Sequence, residues 1–194
     1  MWLNLKTMSS FATQSIRMIE TLISSKTRIK LLLKFFLNSN TTSYLRGLEG
    51  EFGESTNAIR LELNKLEGAG MLSSFLDGNK KMFRANTKHP LFSEVHNIVL
   101  KHIGIDKIIV TVIERLGDVE KVYLIGDFSK GIDSQIIDLI FVGNIDKAYL
   151  IALIDKVEKL IKRKIRYLVY TPNELKIEEW NSFDPEPLLL WSKD

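Results

Sequence analysis

The sequence predicts an α+β protein built in two parts, and three observations carry that prediction. A pair of short helices with a glycine turn between them lies within 42–72, the second capped by Ser55. Two short strands around an Asp-Gly turn follow at 72–85. From Lys121 onward the order becomes strand, strand, helix, strand, which suits a sheet covered by helices.

Residues 1–23 read as an arm or lead-in helix, with Ile16, Ile19, Leu22 and Ile23 at helical spacing. Ser25 to Leu37 is the next helix, expected to turn Ile29, Leu32, Leu33 and Phe36 inward and Lys30 and Lys34 outward. The polar run Asn38 to Thr42 ends it and caps a helix reaching Phe52, with Leu45, Leu48 and Phe52 on one face. Gly53 supplies the turn, and Ser55 starts a helix that buries Ile59, Leu63 and Leu66. Two helices so briefly joined form a helix-turn-helix. The strands flanking Asp77-Gly78 make a basic hairpin.

Pro90 turns the chain into a helix over Leu91 to His102, with Val95, Ile98 and Val99 expected inside. Gly104 and Asp106 mark the boundary, so that 24–103 forms the first domain and 104–194 the second. Ile105 to Leu116 is a helix, Lys121 to Ile125 and Ile136 to Val142 are strands, Asp146 to Arg163 is a helix and Lys164 to Thr171 a strand. A short helix starts at Thr171, and the apolar tail Leu188 to Trp191 docks as surface after Pro185 and Pro187.

At 194 residues with 45% hydrophobic content the chain can bury a substantial core. Its formal charge of +3 hides an asymmetry: residues 1–103 hold 14 Lys and Arg against 8 Asp and Glu, and 104–194 hold 13 against 16. A polyanion should therefore prefer the first part. The absence of cysteine excludes a disulfide framework, thiol catalysis and thiolate metal sites, and suits a reducing cytoplasm. His89, before a proline, is expected to pack or cap a turn, and Glu94, His96 and His102 lack the spacing of a common two-histidine metal site, so no metal or other cofactor is expected. With no apolar run near the roughly 18 residues of a membrane span and no signal-peptide layout, the chain is expected to be cytoplasmic and free of the membrane.

The Ser55-capped helix, the exit Leu66-Glu-Gly-Ala-Gly-Met-Leu72 and the basic hairpin together resemble a winged helix domain of the bacterial ArsR-like regulator type. The resemblance implies a helix that enters the major groove of double-stranded DNA, a hairpin wing beside it, and a homodimer whose two recognition helices lie about one DNA turn apart. The outward set on the helix is Thr56, Asn57, Arg60, Leu61 and Asn64. Arg60 suits guanine, Asn57 and Asn64 suit adenine, and Leu61 suits a thymine methyl. Lys65, Lys80, Lys81 and Arg84 are expected on phosphate, where they give affinity and salt dependence.

The second part resembles the small nucleotidyltransferases of the polymerase β type over about Leu116 to Glu174. That family places a glycine-serine pair after the first strand, a glycine in the loop, two aspartates alternating on the second strand and a carboxylate on a later one. Alternation puts both aspartates on one face, where they hold the metals that activate the attacking oxygen. Here Gly126, Gly131 and Asp138 match, but Asp127 stands at the serine, Ile136 at the first aspartate, and Arg166 or Tyr167 near the third carboxylate. The resemblance thus implies the fold without transfer activity and no catalytic residues, leaving Gly126, Asp127, Ser129, Lys130, Gly131 and Asp138 as a pocket for a nucleotide or small-molecule effector. The expected function is that of a DNA-binding transcriptional regulator. An active nucleotidyltransferase targeted by its winged domain, or a winged helix protein-interaction module, are the competing readings.

Overall fold

The computed structural model describes residues 23–174, Trp180, Phe183 and residues 186–193. The lead-in segment 1–22 and most of the stretch expected to be helical after Thr171 lie outside the described residues. Helix α1, Lys26–Leu32, opens on Ser25, whose Oγ accepts from the Arg28 N–H at 3.2 Å. It continues through Leu33–Leu37 with π-type hydrogen bonding.

A three-residue strand follows where the sequence suggests a helical lead-in: β1, Thr42–Tyr44, pairs antiparallel with the hairpin, Ser43 opposite Phe83. Thr42 and Tyr44 suit an extended pleated backbone, and pairing satisfies polar groups that an early helical turn would leave open. Helix α2 therefore runs only over Leu45–Phe52, with no side-chain cap, and ends on Gly53 at φ 61°. Helix α3, Thr56–Gly68, is capped by Ser55, which accepts from the Ala58 N–H at 3.2 Å, and buries Ile59, Leu63 and Leu66. Strands β2, Leu72–Asp77, and β3, Lys80–Ala85, complete a three-stranded sheet of order β1-β3-β2.

Helix α4, Phe92–Ile103, turns Val99 and, in part, Val95 inward as expected but leaves Ile98 outside. Phe92 stacks on Phe36 at 5.6 Å, the His96 ring lies 2.6 Å from the Phe36 carbonyl, and Val99 and Ile103 are buried, while Ile98 is exposed. The contact stripe 92, 96, 99, 103 has helical spacing too, but it includes an aromatic and a histidine that bond α1, and these outweigh Ile98.

Gly104, at φ 89°, turns the chain into helix α5, which starts as Ile105–Ile108, passes through a π-type stretch Ile109–Ile113 and ends as Glu114–Leu116. A side chain at 104 would meet Ile161 Cγ2 at 2.6 Å, so glycine is what lets this turn pack.

The second sheet contains β4, Val119–Ile125, β5, Ile136–Gly143, β6, Lys164–Tyr170, and β7, Leu188–Ser192, in the order β6-β5-β4-β7. A four-residue helix α6, Gly126–Ser129, follows β4. Helix α7, Lys147–Ile161, is capped by Asp146 and carries the parallel crossover from β5 to β6. Its Leu150, Leu153, Ile154, Val157, Leu160 and Ile161 are all buried, as their spacing predicts. The tail is a strand rather than docked surface: β7 takes the edge of β4, Trp191 opposite Val122. The molecule is thus mixed α+β with two sheets.

One apolar cluster runs through both sheets, and α1 with its π-type extension lies in it. Leu31, Leu32, Leu33, Phe35, Phe36 and Leu37 are all buried. A helix enclosed on nearly every side has no outward face for Lys34, which is 8% exposed rather than solvated. Its Nζ donates to Glu51 Oε2 on α2 at 2.9 Å and to the Lys130 carbonyl at 2.8 Å, so the buried cation has an anion and an acceptor. Beside it Asn38 donates to the Ser129 carbonyl at 3.3 Å.

Candidate nucleic-acid interface

Helix α3 is fixed from behind and open in front. Ile59, Leu63 and Leu66 are buried, while Asn57, Arg60, Leu61, Asn64 and Lys65 are exposed and Thr56 is half-buried. Glu62, on the inner side, accepts from Arg28 at 2.7 Å and from Lys65 at 3.4 Å. Burial alone would raise its pKa, but the Arg28 hydrogen bond and charge, helped by Lys65, outweigh that and hold it below the ordinary value.

The hairpin is tied to the far end of the same helix through Glu67. Its carboxylate accepts from Lys81 Nζ at 2.7 Å and from Ser74 Oγ at 2.5 Å, and these bonds lower its pKa. The ties set the angle between hairpin and helix.

Between them opens a groove of about 680 Å³, lined by Tyr44 at the end of β1, Leu45 and Arg46 from the start of α2, Arg60, Leu63 and Asn64 from α3, and Asn79, Lys80, Lys81 and Phe83 from the hairpin. Four of these residues are cationic and no carboxylate is among them. Lys80 Nζ sits 4.6 Å above the Tyr44 ring. On the hairpin's flank, Arg84 lies 5.5 Å from the Phe75 ring. Of the nine residues expected to meet DNA, the groove brings Arg60, Asn64, Lys80 and Lys81 together. Asn57, Leu61 and Lys65 are exposed on α3 outside its lining, half-buried Thr56 is outside it too, and Arg84 is on the hairpin.

Sequence reasoning missed Tyr44, Arg46 and Asn79. Tyr44 lies in β1, where the sequence pattern suggests helix. Arg46 sits in the first turn of α2, two residues after the strand that brings this turn to the hairpin, and its position is legible only with that pairing.

The six residues expected to form an effector pocket face two different neighbours. Gly126, at φ 69°, passes so close to β5 that a side chain there would meet Asp138 Oδ2 at 2.5 Å. Asp138 is gripped by both arms of Arg166, Nε to Oδ1 at 2.6 Å and Nη2 to Oδ2 at 2.9 Å. The bonded Asp138 carboxylate raises the Arg166 pKa above its ordinary value, and the charge of nearby Asp127 adds to the effect.

Ser129, Lys130 and Gly131 turn the other way, onto α1. Ser129 is fully buried and its Oγ donates to the Gly126 carbonyl at 2.8 Å. Gly131, at φ 74°, lies directly against the backbone of Lys34 and Leu33, where a side chain would overlap the Lys34 Cα. Among the described residues no three His, Cys, Asp or Glu side chains gather as a metal site, and no helix is long and apolar enough to cross a membrane. Compared with protein-family models, with curated proteins and with solved structures, the chain has no match.

Proposed function

We propose that the chain is a DNA-binding transcriptional regulator of the cytoplasm, working as a homodimer. In this reading residues 24–103 act as an ArsR-like winged helix domain, with α3 the recognition helix and the β2–β3 hairpin the wing. Residues 104–194 act as a nucleotidyltransferase-like module without transferase activity, serving assembly or the sensing of a nucleotide or small-molecule effector.

The observation that carries the reading is the groove beside α3: cations from three elements face one concavity with no carboxylate among them, next to a helix face of Asn57, Arg60, Leu61 and Asn64. A polyanion with readable edges matches that chemistry. Inactivity is supported by Ile136, which cannot ligate a metal, and by Arg166, which takes both oxygens of Asp138.

Fluorescence anisotropy with the chain's own upstream duplex and a scrambled duplex tests the reading. Tighter binding to the upstream duplex is expected, with Arg60→Ala costing about 1–3 kcal/mol and most of the discrimination. No binding to either duplex at low salt would leave the protein-interaction module instead. Nucleotide transfer from labelled triphosphates with magnesium, lost in Asp138→Ala, would establish the enzyme instead.

A further inference from the structure

The cations around α3 differ in what already holds them. Lys81 is paired with Glu67, which Ser74 also bonds, and so belongs to the tie between α3 and the hairpin; Lys65 is paired within α3 with Glu62, the carboxylate that Arg28 holds from α1. Among the described residues Arg46 and Lys80 have no carboxylate partner, and both line one groove. They come from different elements, the first turn of α2 and the start of β3.

Tyr44 touches both elements. Its ring lies under Lys80 Nζ at 4.6 Å, and it packs so closely on α2 that a side chain at Gly47 would come within 3.1 Å of its Cε1. The ring is held between Gly47 and the ammonium, and it limits where that ammonium can go.

We propose that Arg46 and Lys80 form a clamp for one backbone phosphate of the bound DNA strand, with Tyr44 as the residue that positions Lys80. Lys65 and Lys81 are structural and contribute less to phosphate binding. The proposal rests on the DNA-binding reading above and divides its cations by task. A phosphate entering the groove meets two charges that need no ion pair broken, whereas contact with Lys65 or Lys81 would first have to compete with Glu62 or Glu67. Arg46 presents a planar fork that suits two phosphate oxygens, and Lys80 a point charge from the hairpin. Such contacts carry no base information, so the clamp sets how α3 lies on the duplex while Arg60 reads it.

The test is the slope of log affinity against log salt for the full chain on its preferred duplex, with the scrambled duplex alongside. Each phosphate contact removed should lower the slope by about 0.9. Arg46→Ala and Arg46→Gln are expected to lose that amount and to weaken binding on both duplexes by the same factor, while Arg46→Lys keeps most of the slope. Lys80→Ala should behave as Arg46→Ala does, and Lys65→Ala and Lys81→Ala should shift the slope by less than half as much. Tyr44→Leu should lower the slope and Tyr44→Phe, which retains the ring, should restore it. Wild-type slope in both Arg46→Ala and Arg46→Gln, with wild-type binding intact, would overturn the clamp and leave the reading of α3 standing. Loss in Arg46→Ala confined to the preferred duplex would also overturn it, by making Arg46 a base reader. Failure of the wild-type chain to bind DNA in a salt-dependent way would remove both.

Discussion

The groove beside α3 and the end of the second sheet around Asp138 both carry arginine and lysine, but the two hold them in opposite ways. In the groove, Arg46, Arg60 and Lys80 face open space with no carboxylate on the lining. At the sheet end, Arg166 is bonded to Asp138 through both arms, Gly126 closes over that carboxylate, and Gly131 is pressed onto α1. Charge that is left unpaired beside a cavity is available to a ligand; charge consumed by a neighbour holds the fold. Residue type alone therefore says little about a site, and the partner of each charged group says much more.

That contrast breaks most severely at the glycines. Gly131→Val forces a side chain into the backbone of α1 at a positive φ, and the expected loss is about 3–5 kcal/mol in urea unfolding, from strain and overpacking together. Gly78→Ala, at the hairpin turn, keeps the positive φ of 57° but meets nothing within 4 Å. Only the conformational cost of about 1 kcal/mol is expected there. Equal losses would mean that the sheet end is as open as the groove.

A smaller effect separates the two halves of the ion pair. Arg166 is 69% exposed at its side chain and Asp138 only 13%. Removing the aspartate leaves a guanidinium that water can solvate, whereas Arg166→Ala leaves a largely covered carboxylate without its donor. The denaturation midpoint should therefore fall further in Arg166→Ala than in Asp138→Ala. The reverse order would show that Asp138 has another partner.

Acid should act on the ties rather than on the groove itself. Glu67 is held below its ordinary 4.5 by the hydrogen bond from Lys81 and then by that from Ser74. For Glu158 burial works in the opposite sense, but the bonds from Lys164 and the Ile165 N–H prevail and its pKa is lowered too. With folded values depressed, the unfolded chain binds protons more readily. The stability these carboxylates add is complete above about pH 4.5 and is lost as the pH falls through the folded values. Unfolding free energy followed from about pH 6 to about pH 3 should decline less steeply in Glu67→Gln and Glu158→Gln than in wild type. An unaltered pH dependence in both variants would show that neither carboxylate is coupled to folding.

Much of the local structure was legible because it depends on neighbours in sequence. Ser55, Gly53, the Asp77-Gly78 turn and the stripe from Leu150 to Ile161 fix their elements from within a few residues, and each behaves as the pattern says. What escaped depends on distant partners. Strand β1 has three residues and exists because β3, 40 residues on, offers it an edge; β7 exists for the same reason beside β4. Lys34 reads as solvated until Glu51 and the Lys130 carbonyl are found around it. The face of α3 could be drawn from its period, whereas Arg46 and Tyr44 needed the β1–β3 pairing to put them on the groove.

The position of α1 has a consequence for how the molecule comes apart. Its buried residues from Leu31 to Leu37 belong to one cluster with residues of both sheets, and its Lys34 bonds α2 on one side and the loop after β4 on the other. Neither sheet can open without uncovering the same helix, so the two share one cooperative transition instead of melting in succession. The amide protons of Leu33–Leu37 should then be among the slowest to exchange with solvent, released only in the global opening that also frees the protected amides of β5 and α3.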